Sequence, residues 1–312
     1  MSSGILLLNM GGPNSVGEVE VFLRNMFSDP RILPMNSILR RIIGKRIIKN
    51  RLVEAERNYE QLGGKSPLTE ISISLAKKVE AITGVPTRLA MRYVPPFADD
   101  ALAEFKKNGI NEVIVFPMYP QYSTTTTLSS LDDLYEKMDK LGYDTTLKII
   151  EPYFDDSGYI DIITNRIEAA VQEIDSSQYD LILSAHGLPV SIVEAGDPYQ
   201  KQIEASVDRV KRALKEKNII FADTKLAYQS KVGKSAWLEP NLTDVLRDPA
   251  NTKVVILPLA FTIDNSETLF ELDIEHREIA DKIGYDDYRV VSCPNDGDDF
   301  AEFITKRVRE TV

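Results

Sequence analysis

Only two histidines, His186 and His276, and one cysteine, Cys293, occur in this 312-residue chain, so imidazole or thiolate chemistry has few places to occur. His186 stands in Leu181-Ile-Leu-Ser-Ala-His-Gly-Leu-Pro189, directly after a run that reads as a buried strand. An imidazole at the carboxyl end of such a strand can act as a base near neutral pH or bind a borderline metal ion. The bland alternative is a structural histidine hydrogen-bonded in a turn. A second group lies in Phe261-Thr-Ile-Asp-Asn-Ser-Glu-Thr-Leu-Phe-Glu-Leu-Asp-Ile-Glu275. Asp264 and Glu267 have capping-box spacing, which predicts a helix starting near Asn265 with Asp264 as its cap. Glu267, Glu271 and Glu275 then share one helix face. Like charges so placed repel by about a few tenths of a kcal/mol per pair. They read either as a solvated acidic face or as a carboxylate path for a cation or protons. His276 reads as a surface or interface residue.

Further candidates follow strands of the first half. Arg92, in Met91-Arg-Tyr-Val-Pro-Pro96, could pair an anionic substrate group through its planar fork. Tyr119-Pro-Gln-Tyr-Ser-Thr-Thr-Thr-Thr127 offers hydroxyls that could hold an anion at a helix N-terminus, or simply cap that helix. Trp237, the single tryptophan, lies in a loop after a strand and suits stacking on a flat ligand as well as plain packing. Asn9-Met-Gly-Gly-Pro13 is glycine-rich but lacks both the dinucleotide fingerprint and the P-loop lysine.

The elements that must position these residues alternate. Short apolar runs at 5–8, 88–91, 113–117, 147–150, 181–183, 225–228, 254–257 and 288–291 read as buried strands, bounded by Gly, Pro, Asn or Ser. Helical patterns occupy 71–81, 98–107, 131–141, 160–174, 199–217 and 268–283. Such alternation predicts an α/β protein with parallel sheets. An internal repeat favours two sheets over one. Ile5–Pro13 aligns with Leu181–Pro189, Arg88–Arg92 with Lys225–Gln229, and Val113–Pro117 with Val254–Pro258, in the same order. The expectation is two Rossmann-like domains, 1–153 and 154–312, with the loops after their strands facing a central cleft.

Arg31 to Val53 carries seven basic residues and no acid, with Ile38/Leu39, Ile42/Ile43, Ile47/Ile48 and Leu52 at helical spacing. This pattern fits a helix lying on an anionic membrane surface, or else an ordinary helix packed on the core. The rest of the chain is acidic: 37 basic against 48 acidic residues give a net charge of −11, which argues against nucleic-acid binding. One cysteine excludes a disulfide framework and a cysteine-ligated cluster. No run approaches the roughly 18 apolar residues that span a bilayer, and the N-terminus does not read as a signal peptide. The expected location is cytoplasmic, peripheral on the inner face of the membrane.

The segments LLLNMGGP, MRYVPP, PQYSTTTT, SAHGLP with GDPY (196–199), YQSKVGKSAWLEP (228–240) and ETLFELDIE together resemble the ferrochelatases over essentially the whole chain. The resemblance implies the chelatase fold and insertion of Fe2+ into protoporphyrin IX to give protohaem. It implies His186 and Glu267 as the catalytic and metal-binding pair, with their division of roles left open. Glu271, with Asp264 and Glu275, would form a path for protons or metal. Met10, Arg31, Ile32, Tyr59, Ser66, Arg92, Tyr93, Tyr122, Ser123, Val232 and Trp237 would bind the porphyrin, and 31–53 would be the membrane-facing lip. Iron enters as substrate, with no tightly bound cofactor and no iron–sulfur cluster. Expected partners are porphyrin, ferrous iron, an anionic membrane surface and transient contacts with haem-pathway proteins.

Two positions depart from the common pattern of the family: Asn265 stands where many relatives carry histidine, and Gly187 where serine is usual. The other readings are a chelatase for coproporphyrin or another tetrapyrrole and metal, and a tetrapyrrole-binding protein without catalysis.

Overall fold

The computed structural model describes residues 2–311 except Lys234. The chain forms two compact units, Met1–Pro152 with Asp296–Val312, and Tyr153–Asn295. Each contains one four-stranded, all-parallel sheet.

In the first unit the strands are β1 (Ser3–Asn9), β2 (Thr87–Met91), β3 (Glu112–Pro117) and β4 (Thr146–Ile149), in the order β2-β1-β3-β4. In the second they are β5 (Asp180–His186), β6 (Asp223–Gln229), β7 (Lys253–Pro258) and β8 (Asp287–Val290), in the order β6-β5-β7-β8. The central strands are continuous apolar runs because both faces are covered by helices.

The repeat legible in the sequence holds to the residue. Ile5 stands opposite Thr87 and Ile114, and its counterpart Leu181 stands opposite Thr224 and Val255. By this register Met10 occupies in the first unit the place of His186 in the second.

The helices of the first unit are α1 (Val19–Ser28), α2 (Ser37–Gln61), α3 (Leu68–Thr83), α4 (Ala98–Lys107) and α5 (Ser129–Leu141). Those of the second are α6 (Ser157–Val171), α7 (Val190–Glu194), α8 (Tyr199–Glu216), α9 (Leu242–Arg247) and α10 (His276–Ile283). The last helix, α11 (Asp298–Thr311), returns to the first unit, so the expected split into 1–153 and 154–312 differs at the carboxyl end. Its buried face carries Phe300, Phe303, Ile304 and Val308, while α3 buries Leu75, Ala76 and Val79. Lys78 of α3 bonds the Asp296 carbonyl and the Asp298 carboxylate, and Ser74 donates to Asp296.

The basic stretch divides its apolar side chains between two environments. Helix α2 starts where Asn36 accepts from the Leu39 amide at 2.9 Å. Its Gly44 lies where an added Cβ would meet the Phe27 carbonyl of α1 at 3.2 Å, so the two helices cross closely there. Ile47, Ile48 and Leu52 pack with α1 residues Val19, Leu23 and Phe27. Ile38, Leu39 and Ile42, at 74%, 43% and 62% exposure, do not. The apolar side at 47–52 therefore belongs to the core, which narrows any membrane-facing role to the helix start.

If α11 completes the first core, Phe300→Ala should destabilise the protein by about 3–5 kcal/mol. Hydrogen exchange should then rise in α3 rather than in α10. Urea unfolding with exchange mass spectrometry measures both, and equal loosening of α10 would contradict this packing.

Candidate active site

His186 is the last residue of β5 and lies opposite Gln229, the last residue of β6. In a sheet of this order the crevice opens beyond the carboxyl ends of β5 and β7, where the connections diverge to opposite sides. The imidazole stands at that point. Its Nδ1 lies 2.7 Å from Glu267 Oε2. Because a carboxylate only accepts, this bond places the proton on Nδ1 and leaves Nε2 with the basic lone pair. The Tyr199 hydroxyl, from the GDPY segment, donates to the His186 carbonyl at 3.0 Å and fixes the backbone beneath the ring.

Glu267 opens a π-helix, Glu267–Glu275, that runs into α10. Such i→i+5 turns are uncommon and concentrate at functional sites. The first unit carries one at the corresponding place, Thr124–Leu128 after β3. Asn265 accepts from the Glu267 amide at 2.8 Å, and the Thr268 hydroxyl accepts from the Asn265 amide at 3.0 Å. The reciprocal cap is thus Asn265 with Thr268, one residue later than the predicted Asp264 with Glu267. The Asp264 carboxylate is buried and accepts from the Thr268 hydroxyl and from Asn295 Nδ2.

Glu271 sits one turn on, held by Ser230. The Ser230 amide donates to Oε1 at 2.7 Å and its hydroxyl to Oε2 at 2.5 Å. Ser230 does this from the left-handed region, at φ 65°. Gln229 donates to Glu271 Oε2 and to the Glu267 carbonyl, each at 3.2 Å, and accepts from Ser184 at 2.7 Å. Sequence reasoning gave Tyr199, Ser184, Gln229 and Ser230 no role, although SAHGLP, GDPY and YQSKVG contain them all. Glu275 is exposed at the far end of the π-helix.

His276 is buried, contrary to its reading as a surface residue. Its Nδ1–H donates to the Glu271 carbonyl at 2.7 Å, and its Nε2 accepts from the Thr243 hydroxyl at 3.2 Å. Burial pulls its pKa down, so it stays a neutral clasp on the end of the π-helix.

The electrostatics of the trio follow from burial and mutual charge. Burial opposes the His186 imidazolium, but the Glu267 carboxylate, aided by Glu271, outweighs it and raises the His186 pKa above the usual 6.5. Burial likewise opposes ionised Glu267, and His186 overcomes it, so the Glu267 pKa falls. Glu271, buried and facing the Glu267 charge, is pushed up to about 7. His186 and Glu267 therefore favour each other's charged forms, beside a carboxyl group raised to about 7.

Trp237 lies beside this trio, its ring centroid 6.5 Å from that of His186. A Cβ on Gly187 would come within 3.2 Å of Trp237 Cε3 and 3.1 Å of the Gln229 carbonyl. Glycine here lets the indole lie close to the strand end. Val232 is exposed on the same loop.

In the first unit several of the residues expected to bind porphyrin make hydrogen bonds or packing contacts within the unit. Arg92 spends its donors on Asp29, Asp133 and Ser129, at 3.1–3.2 Å. Tyr93 is fully buried and donates to Asp29 at 2.8 Å. Ser129 also donates to Asp29. Arg31 pairs with Asp132 at 2.8 Å. Tyr59 lies in the core between α1 and α2, with partly buried Ile32 packed against it. Ser66 is buried where a Cβ on Gly12 would meet its hydroxyl at 2.5 Å. Ser123 caps the first π-helix by accepting from the Thr125 amide at 3.1 Å, which is the simple reading of the hydroxyl run. Arg92, Tyr93, Ser66 and Ser123 thus lie on or against the loops beyond β1, β2 and β3, and Tyr59 lies in the α1–α2 core. Met10 and Tyr122 are partly exposed on those loops.

A family model described as ferrochelatase matches residues 2–312. The chain belongs to the ferrochelatase family. It is 46% identical over 314 residues to a ferrochelatase of Wolinella succinogenes, covering 99% of both chains. It is 43% identical to that of Campylobacter concisus over 98% of this chain and 97% of the relative. Among solved structures, SirB from Bacillus subtilis with Fe3+ aligns with a TM-score of 0.60 at 12% identity, covering 100% of this chain and 96% of that one. CbiX, described as the terminal enzyme of sirohaem biosynthesis in denitrifying bacteria, aligns with a TM-score of 0.54 at 16% identity, over 79% and 94%. At these identities the two structures show a shared chelatase fold. As a ferrochelatase, the protein inserts ferrous iron into a porphyrin.

The His186–Glu267 bond makes a direct prediction. Glu267→Gln removes the charge that raises the imidazole, so the His186 pKa should fall below its wild-type value, as followed by 15N–1H NMR of the two histidines. An unchanged titration would mean that Glu267 does not set it. Glu271, raised towards 7, binds its proton more tightly in the folded chain than in the unfolded one. Its contribution to stability is therefore complete below about 4.5 and lost as pH rises through about 7. Glu271→Gln should flatten the stability profile across that window in urea unfolding.

Proposed function

We propose that the tetrapyrrole is protoporphyrin IX, and that His186, Glu267 and Glu271 remove its two inner protons as iron enters. The observation that carries the proton removal is the Nδ1–H bond from His186 to Glu267, which leaves Nε2 as a base at the end of β5; the choice of protoporphyrin IX rests on the resemblance of the sequence. A free-base porphyrin is flat and holds its N–H protons inside the ring. Binding energy from the periphery distorts the ring and exposes a nitrogen lone pair. Nε2 accepts the first proton, and Glu267 stabilises the imidazolium formed. Glu271, held by Ser230, is the next acceptor along the helix and passes protons outward when ionised. Fe2+ takes imidazole and carboxylate oxygen readily and exchanges them readily, which suits a metal that must leave with the product. Trp237 offers a flat apolar face beside this base.

His186→Ala should lower the rate of iron or zinc insertion by about 10²–10⁴-fold. Loss of free-base porphyrin absorbance measures it, with coproporphyrin run in parallel to decide the substrate. Full activity without His186 would overturn the mechanism. The neutral base is the active form, so the rate should fall as pH drops through the raised His186 pKa. The residual activity of Glu267→Gln should show this limb displaced to lower pH.

The start of α2 supports peripheral attachment to an anionic membrane on the cytoplasmic side. Exposed Ile38, Leu39 and Ile42 stand beside exposed Arg41, Lys45, Arg46 and Lys49. Apolar side chains entering the headgroup layer with a cationic rim give salt-sensitive binding that anionic lipid strengthens. Changing Ile38, Leu39 and Ile42 to serine should abolish sedimentation with anionic vesicles without altering thermal unfolding. Undiminished sedimentation would assign the stretch to the core alone.

A further inference from the structure

We infer that Asp264, Asn295 and Thr268 form a clamp that positions Glu267, and that Asp264 acts through its hydrogen bonds rather than as a carrier of protons or metal. The inference deepens the proposed role of Glu267 and rests on that reading.

Asp264 ties the loop between β7 and the π-helix at two places. Its amide donates to Asn295 Oδ1 at 2.8 Å, and its Oδ2 accepts from Asn295 Nδ2 at 2.6 Å. Its Oδ1 accepts from the Thr268 hydroxyl at 2.9 Å and from the Cys293 amide at 3.4 Å. Asn295 is itself pinned, donating its amide to the Thr262 carbonyl at 2.9 Å. It stands in the left-handed region at φ 56°, where asparagine and aspartate are better tolerated than bulkier residues. Thr268, fully buried, directly follows Glu267 in the chain. The loop before Glu267 and the residue after it are therefore tied to one carboxylate.

A buried carboxylate is kept only where hydrogen bonds replace its water. The donors to the Asp264 carboxylate are neutral: the Thr268 hydroxyl, the Cys293 amide and Asn295 Nδ2. This donor set is that of a structural anchor. A relay would instead have to release and rotate, and so break the loop that holds Glu267.

Exchange of the two side chains tests this. Asn295→Asp sets two carboxylates against each other. Asp264→Asn leaves a donor facing a donor in every orientation of the two amides. Together, Asp264→Asn with Asn295→Asp restores each bond with the charge moved to position 295. The clamp predicts that Asn295→Asp loses about 10²-fold in kcat with little change in KM for porphyrin, as expected of a misplaced catalytic group. It predicts that the double variant returns to within a few-fold of wild type. In the ligand-free protein, the downfield His186 Nδ1–H resonance should vanish in Asn295→Asp and reappear in the double variant. This second readout does not depend on catalysis, so it judges the clamp even if the proposed chemistry fails.

A double variant no better than Asn295→Asp, in rate and in resonance, would overturn the clamp. So would wild-type behaviour of Asn295→Asp. If Asn295→Asp does not fold, Thr268→Val carries the same test, because it removes one hydroxyl at constant shape. Loss of kcat and of the His186 resonance supports the clamp, and retention of both refutes it.

Discussion

Within each sheet every described strand runs parallel to its neighbours, and the rest of each unit follows from that constraint. A parallel pair needs a long crossover, so every connection becomes a helix and every strand delivers its carboxyl end to the same edge of its sheet. With the order β6-β5-β7-β8, the connections from β5 and β7 part company at that edge. A side chain at the last position of β5, past its apolar run, is thereby held by a rigid sheet and lies where a ligand can reach it. His186 takes this place, and the loop from β7 brings Glu267 to it.

The charges of the trio depend on one another. His186 and Glu267 stabilise each other's charged forms, while the same Glu267 charge keeps Glu271 poised near 7. Ser230 supplies Glu271 with two donors, enough to hold its geometry without abolishing its affinity for a proton. Around them the protein spends neutral contacts: Tyr199 on the His186 carbonyl, His276 on the Glu271 carbonyl, Asn265 on the Glu267 amide. Neutral partners fix position without adding charges that would shift the balance.

Much of this was legible in the sequence, for physical reasons. Buried parallel strands are short uninterrupted apolar runs, so all eight were readable, and a duplicated sheet betrays itself through aligned motifs. His186 stood out because imidazole is scarce and because its strand ends there. What escaped reading depended on partners distant in the chain or on patterns shared by two structures. Asp264–Glu267 and Asn265–Thr268 both fit a cap, and only the bond from Asn295 shows why the second is used. A π-helix and an α-helix place i and i+4 on similar faces, so spacing alone did not distinguish them. Ile42 and Ile47 look alike in α2, yet α1 covers only the second. The bonds of Arg92 and Tyr93 to Asp29 were not legible because that carboxylate lies more than sixty residues earlier.

The return of α11 to the first unit has a consequence for how the chain is made. The second unit is one uninterrupted stretch, Tyr153–Asn295, complete as soon as it has left the ribosome. The first unit begins earlier but lacks its last piece, Asp296–Val312, until that stretch has also emerged. Domains of a growing chain ordinarily fold in the order they emerge. Here the apolar face of α3 waits uncovered through the synthesis of an entire second sheet, so the unit that starts first is the one that finishes last.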